Sequence, residues 1–153
     1  RHHLSLYKDL ADQEKRLAGL RAALAQNPDR AEPYHDLGVL FGQRGQYAQA
    51  RIHYLQAIDR DPDFAPTYHN LGNIYLRQQQ PKPAMEMFHK ALRADSTYVM
   101  SYLALGNMMI AHKRFDLALA SYQRGLRFAP DDARLQRQAA MTHQIIAESQ
   151  KPN

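Results

Sequence analysis

The 153-residue chain contains no cysteine, which excludes disulfides, zinc–thiolate sites and thiol catalysis and leaves the redox compartment open. It also lacks any apolar run near the roughly 18 residues that a membrane span requires. The richest stretch, Tyr98 to Ala111, is broken by Ser101, Gly106 and Asn107 and reads as a buried helix, so direct membrane insertion is not expected. His-Glu-x-x-His, a Gly-rich phosphate loop and a Gly-x-Ser-x-Gly elbow are all missing; no metal, cofactor or catalytic constellation is expected. With no signal peptide visible, the expectation is a soluble protein of the cytoplasm or periplasm. The chain opens on Arg1 rather than methionine, which permits a processed or excised piece of something longer.

A concentration of positive charge is missing too. The net charge is +5, yet residues 1–30 carry six basic and four acidic groups, and the remaining surplus is spread along the chain. Nucleic-acid binding needs basic residues gathered on one face, so a diffuse surplus points to solubility and no nucleic-acid partner is expected.

What the chain does contain is periodicity. Tyr34-His35-Asp36-Leu37-Gly38 recurs thirty-four residues later as Tyr68-His69-Asn70-Leu71-Gly72, and again as Tyr102-Leu103-Ala104-Leu105-Gly106. Ala50, Ala84 and Ala118 keep the same interval, as do Tyr54, Phe88 and Tyr122. After them come Ala57-Ile58, Ala91-Leu92 and Gly125-Leu126, then Pro62 and Pro130, with Ser96 where a third proline would fall. A fixed period of this size marks helical pairs, each too small to bury its own apolar face. The small residues are the points of close helix approach, and the aromatics are expected to fill the space between successive units. Gly125, inside a helix, is expected to cost about 1 kcal/mol relative to alanine, which the array absorbs.

The order aromatic, Leu-Gly, aromatic, small residue, aromatic, Ala-Leu and Pro over thirty-four residues resembles the tetratricopeptide repeat. The resemblance implies an all-α fold, a right-handed α-solenoid of helix-turn-helix repeats. Three full copies occupy 31–64, 65–98 and 99–132; an N-terminal helix in 1–30 reads as a partial repeat or cap, and a capping helix with a tail fills 133–153.

Along the chain, Leu10, Leu17, Leu20 and Leu24 share one helix face. Leu20, Ala23 and Pro28 match the second helix of an incomplete unit, while Leu4 to Gln13 extends beyond what such a unit needs and offers a surface for self-association. Asn27-Pro28-Asp29 and Asp95-Ser96-Thr97 supply capping residues for the helices that follow. Gly45 gives a tight turn, whereas Gln78 to Pro83 replaces it in the second copy with two prolines in the first turn of a helix. In the last helix Leu135, Ala139, Thr142 and Ile146 line one side, and Lys151-Pro152-Asn153 is expected to fray.

The resemblance further implies that the first helix of each pair lines a concave wall, on which relatives grip peptides or partner helices. The residues expected there are Glu32, His35, Asp36, Val39 and Gln43; His69, Asn70, Asn73 and Arg77; Met100, Leu103, Ala104 and Asn107; and Arg137, Gln138 and Met141 on the last helix. Asn70, Asn73 and Asn107 carry the most information, because a carboxamide both donates to and accepts from an extended backbone. Some glycosyltransferase arrays of similar appearance carry an asparagine where Asn70 stands, but Asp36 and Ala104 break the ladder here. Of the places that clamp chaperone C-termini in another variant, His35, Val39, Asn70, Met100 and Ala104 agree only at the asparagine; chaperone-tail binding is not expected. His35 and His69 lie at equivalent points of adjacent units, about 8 to 10 Å apart, too far to share an ion at bonds of about 2 Å. The functional expectation is a non-catalytic interaction scaffold or adaptor that holds a protein or peptide partner. The alternatives are a substrate-presenting or regulatory array cut from a larger enzyme, and a module that forms a homo-oligomer through its N-terminal helix.

Overall fold

A computed structural model of the chain describes residues 2–150, with side chains from Tyr7 onward. The expectations for Lys151-Pro152-Asn153 and for the Leu4 side chain lie outside the described residues. Those described form eight helices and no strand: α1 His2–Gln26, α2 Ala31–Gln43, α3 Tyr47–Arg60, α4 Ala65–Arg77, α5 Pro81–Ala94, α6 Val99–Ala111, α7 Phe115–Phe128 and α8 Ala133–Ser149. Each helix packs most heavily on its chain neighbours. Beyond them, α2 meets α4 and α6 meets α8, while α3, α5 and α7 make no comparable contact with one another. Where first helices touch, as α2 does α4 and α6 does α8, and second helices do not, the stack is curved towards the first helices, which places these four helices on the inner wall.

The thirty-four-residue interval is a packing interval. Tyr54, Phe88 and Tyr122 are buried, and each ring lies flat on the glycine of its own pair. A Cβ at Gly38 would stand 2.5 Å from the Tyr54 ring, and one at Gly72 2.7 Å from Phe88. The aromatics thus close the space within a unit and, as the spacing predicts, also fill the space to the next one, Phe88 clustering with Leu105 and Met108 and Tyr122 with Leu135. Tyr54 also reaches the next unit, joining Leu71, Ile74 and Met87 in one core cluster.

The turns inside the pairs repeat as well. Gly45, Gln79 and Lys113 all adopt left-handed φ, at 72°, 59° and 56°. Each closes a Schellman motif, with Gln46 N donating to Phe41 O, Gln80 N to Tyr75 O and Arg114 N to Met109 O at 2.8–2.9 Å. The second copy therefore keeps the same turn without glycine, and Pro81 and Pro83 open α5 as expected.

The caps differ from expectation. The residues at the start of α2 and α6 are Arg30 and Tyr98, and neither supplies a side-chain cap. Asp95 stands three residues too early, and its Oδ1 accepts from Thr97 N at 2.8 Å inside the turn instead. Only α8 is capped by a side chain among the described helices, Asp132 accepting from the amides of Arg134 and Leu135. The Arg134 guanidinium beside Asp132 holds that carboxyl down to about 2.

At the ends, Leu17 of α1 packs with Leu37 and Leu40 of α2, flanked by Leu20, Leu24 and Phe41. On α8, Leu135 and Thr142 are buried. Gly125 is explained by the same helix: a Cβ there would stand 2.8 Å from Leu135 Cδ1 and 3.1 Å from Tyr102 Cβ. A side chain there would oblige the fully buried Leu135 to shift, so the glycine answers a packing contact as well as costing helix propensity.

Candidate functional site

The inner wall holds a cavity of about 190 Å³ between α2 and α4, lined by Val39, Gln43, Asn70, Asn73 and Arg77 over Gly42, Tyr54 and Ile74. Gly42 lies one turn beyond Gly38 and makes the hollow, since a Cβ there would already sit 3.3 Å from Ile74 Cδ1. Leu76 and Ile110 occupy the equivalent positions in the other pairs, so the hollow belongs to the first junction. Sequence reasoning missed Gly42, Tyr54 and Ile74 here. A second glycine four residues after the invariant one was the available signal for the first. The other two face core and cavity at once, and Tyr54, 3% exposed, has its phenol raised well above the ordinary range by burial and by the charge of Asp36.

Asn70, Asn73 and Arg77 come together as expected, with Val39 and Gln43 opposite them. Asn70 Nδ2 lies 3.5 Å from His35 Nε2, and His35 Nδ1 lies 3.0 Å from Thr67 Oγ1. If Nε2 accepts from the carboxamide, Nδ1 carries the ring proton and donates to Thr67. Burial lowers the His35 pKa against the opposing charge of Asp36. Asn73 has no hydrogen-bond partner among the described residues, and neither does Arg77 have a carboxylate.

Other expected residues are used elsewhere. His69 does not line the groove: it is 6% exposed, packs against Phe88 and Tyr98, and its Nδ1 lies 3.1 Å from Ser101 Oγ. Burial pushes its pKa down to about 4. His35 is half-buried between Tyr54 and Phe64, so both histidines serve the junction between units. Leu103 takes the equivalent place in the third unit, is half-buried and packs against the cluster of Ala118, Tyr122 and Leu135. Asn107 is exposed, but its Oδ1 accepts from the Tyr122 hydroxyl at 2.8 Å. Asn73 escapes that role because Phe88, which faces the corresponding glycine, has no hydroxyl. Glu32 pairs with Arg30, and Met100 Sδ lies 3.0 Å from Arg134 Nη1. Asp36 is half-buried; Arg137 and Met141 are exposed and Gln138 half-buried on α8, and none of the four lines the cavity between α2 and α4.

Carboxamides and a guanidinium over an apolar floor can hold an extended backbone and favour acidic side chains along it. Among the described residues no group of three or more His, Asp or Glu could hold a metal ion, and no helix is long and apolar enough to cross a membrane.

Two family models match the chain, one described as TPR repeat over residues 40–79 and one as tetratricopeptide repeat over 69–133. The chain belongs to the tetratricopeptide-repeat family. None of the curated proteins matches it in sequence. Among solved structures, the repeat protein resembles YrrB, described as a TPR protein with an unusual peptide-binding site, at 28% identity and a TM-score of 0.69 over 80% of this chain and 63% of that one. MamA is similar at 17% identity and a TM-score of 0.73 over 92% and 82% of the two chains. The first TPR of Spaghetti (RPAP3), bound to the HSP90 peptide SRMEEVD, is similar at 21% identity and a TM-score of 0.68 over 77% and 94%. At these identities MamA and Spaghetti establish the all-α solenoid fold and no shared ligand.

Proposed function

We propose that this tetratricopeptide-repeat protein is a non-catalytic interaction scaffold that holds an extended, acidic segment of a partner protein in the groove between α2 and α4. The observation that carries the reading is Asn73, whose carboxamide has no partner among the described residues and stands beside Asn70 and Arg77 over the apolar floor of Val39, Tyr54 and Ile74. The polar groups orient a backbone, the floor takes an apolar side chain, and Arg77 biases the choice towards carboxylates. That YrrB is described with a peptide-binding site supports the reading by analogy. In the same proposal, 31–64, 65–98 and 99–132 act as three repeats between the flanking segments 1–30 and 133–153. Asn107, Arg137 and Gln138 extend the wall towards the carboxy end.

The test uses an array of acidic peptides to find a ligand, followed by calorimetry on Asn73→Ala and on the outer-wall control Arg51→Ala. Removing a hydrogen-bond partner from a desolvated contact costs about 1 to 3 kcal/mol, roughly five- to a hundredfold in affinity. Asn73→Ala should show that loss and Arg51→Ala should bind as the parent does. Equal binding by both variants would move the site away from the groove.

A further inference from the structure

On the outer side, a larger cavity of about 370 Å³ lies between α5 and α7 with α6 beneath. Met85, Leu92, Met109 and Leu117 supply most of its apolar lining, His89 and Arg124 stand on opposite walls, and no carboxylate lines it. It exists because the small Ser121 replaces a filler. Thirty-four residues earlier, at the junction before, the same place holds Met87, which is 8% exposed. Leu117 is left 47% exposed at the rim.

The amino-terminal helix shows the converse feature. Arg44, at the end of α2, donates to Gln13 Oε1 and Glu14 Oε1, both at 2.9 Å. Before that clamp α1 runs on with α2 already ended, leaving Tyr7 74% and Leu10 54% exposed. Leu10 lies two turns from the buried Leu17 and on the same face, so it prolongs an interface that has lost its partner. Asp9 sits about a quarter-turn round from Leu10. With Lys8 and Asp12, the segment Tyr7 to Asp12 carries one more negative charge than positive.

We infer that the projecting segment Tyr7 to Asp12 of one copy docks in the outer groove between α5 and α7 of a second copy. Tyr7 and Leu10 enter the methionine-lined hollow, and Asp9 meets Arg124 or His89 at its rim. The groove walls, Met85 to Leu92 and Leu117 to Arg124, each run about 12 Å, enough for the helical segment Tyr7 to Asp12. An apolar hollow with Arg124 at its rim and no carboxylate in its lining suits a segment with apolar side chains and a flanking carboxylate. Because plug and groove are different surfaces, the contact is heterologous: each added copy leaves a groove at one end and a plug at the other. This surface is separate from the inner groove.

Sedimentation of the parent chain, of Leu10→Asp, of Arg124→Glu and of their equimolar mixture decides the matter. The parent should give species heavier than one chain that grow with concentration. Each variant alone should lose them, with at least a tenfold weaker association. The mixture should regain a species of two chains and no more, since one intact plug then meets one intact groove and both free ends are blocked. Both side chains are exposed, so circular dichroism and melting should be unchanged, and Ala120→Glu provides a second groove variant that must behave as Arg124→Glu does. A monomeric parent at every concentration, groove variants that assemble as the parent does, or a mixture that stays monomeric would each overturn the inference. Assembly that survives Arg124→Glu but not Leu10→Asp would mean that the helices pair with each other.

Discussion

Nδ1 of His69 lies 3.1 Å from Oγ of Ser101, and His35 stands in the same relation to Thr67 one unit earlier at 3.0 Å. One more unit along, these places hold Leu103 and Leu135, and Leu103 packs against the apolar cluster that contains Leu135. Two junctions are therefore joined by a buried polar contact and the third by a hydrophobic one. Burial favours the neutral imidazole at the first two, and this makes the stack sensitive to acid.

The sign follows from the direction of the shift. Burial lowers the His69 pKa from 6.5 to about 4, so the unfolded chain takes up the proton first. Its contribution is complete above about pH 6.5 and is lost as the pH falls towards 4, about 3 kcal/mol in all at 1.36 kcal/mol per unit. His35, His53 and His89 are shifted the same way and add to the slope. Denaturant melts from pH 7 to 4 should show falling stability, and His69→Leu with Ser101→Ala should flatten the curve by about one proton. An unchanged slope in that double variant would refute the assignment.

Gly125→Ala tests packing against propensity. Helix propensity alone predicts a gain of about 1 kcal/mol. The contact with Leu135 predicts a loss of about 1 to 3 kcal/mol from overpacking, seen as a lower melting temperature. Shortening Leu135 to alanine alongside should remove most of the penalty that Gly125→Ala adds. The same contact bears on deleting 99–132, which would set Leu135 against Ala91 instead of Gly125. That shortened array should melt lower than the parent and recover part of the loss with Ala91→Gly.

The carboxamides Asn73 and Asn107 should behave differently although they lie thirty-four residues apart. Asn107→Ala leaves the buried Tyr122 hydroxyl without its acceptor and should cost about 1 to 3 kcal/mol. At about 2 to 4 °C per kcal/mol for a chain of this size, thermal melting resolves the loss. Asn73→Ala should leave the melting temperature within about a degree. Equal melting of the two variants would show that the Tyr122 contact contributes nothing.

Gly72→Val should push Phe88 off the helix it lies on. The cost expected is about 1 to 3 kcal/mol, or more if the ring cannot tilt, and Phe88→Leu in the same chain should return part of it. A variant as stable as the parent would mean that the pair opens without penalty.

The chain alone determined the helices, their pairing and most of the core, because these depend on local chemistry and a fixed interval. Gly72 with Phe88, Ala50, Ala84, Ala118 and the turn at Gly45 are all legible from spacing. The cavity's polar lining was legible for Asn70, Asn73 and Arg77, of which Asn73 and Arg77 have no side-chain partner among the described residues. It was not legible where a few tens of degrees of helix rotation decide between groove and junction. His69 and Leu103 sit one position from Asn70 and Ala104, and only the packing of one helix on the next turned them inward. Nor could spacing reveal that Leu135 requires Gly125, that Tyr122 occupies Asn107, or that Ser121 opens an outer groove. Each of these depends on the distance between side chains of different helices, which close packing of the whole stack sets and no single segment contains.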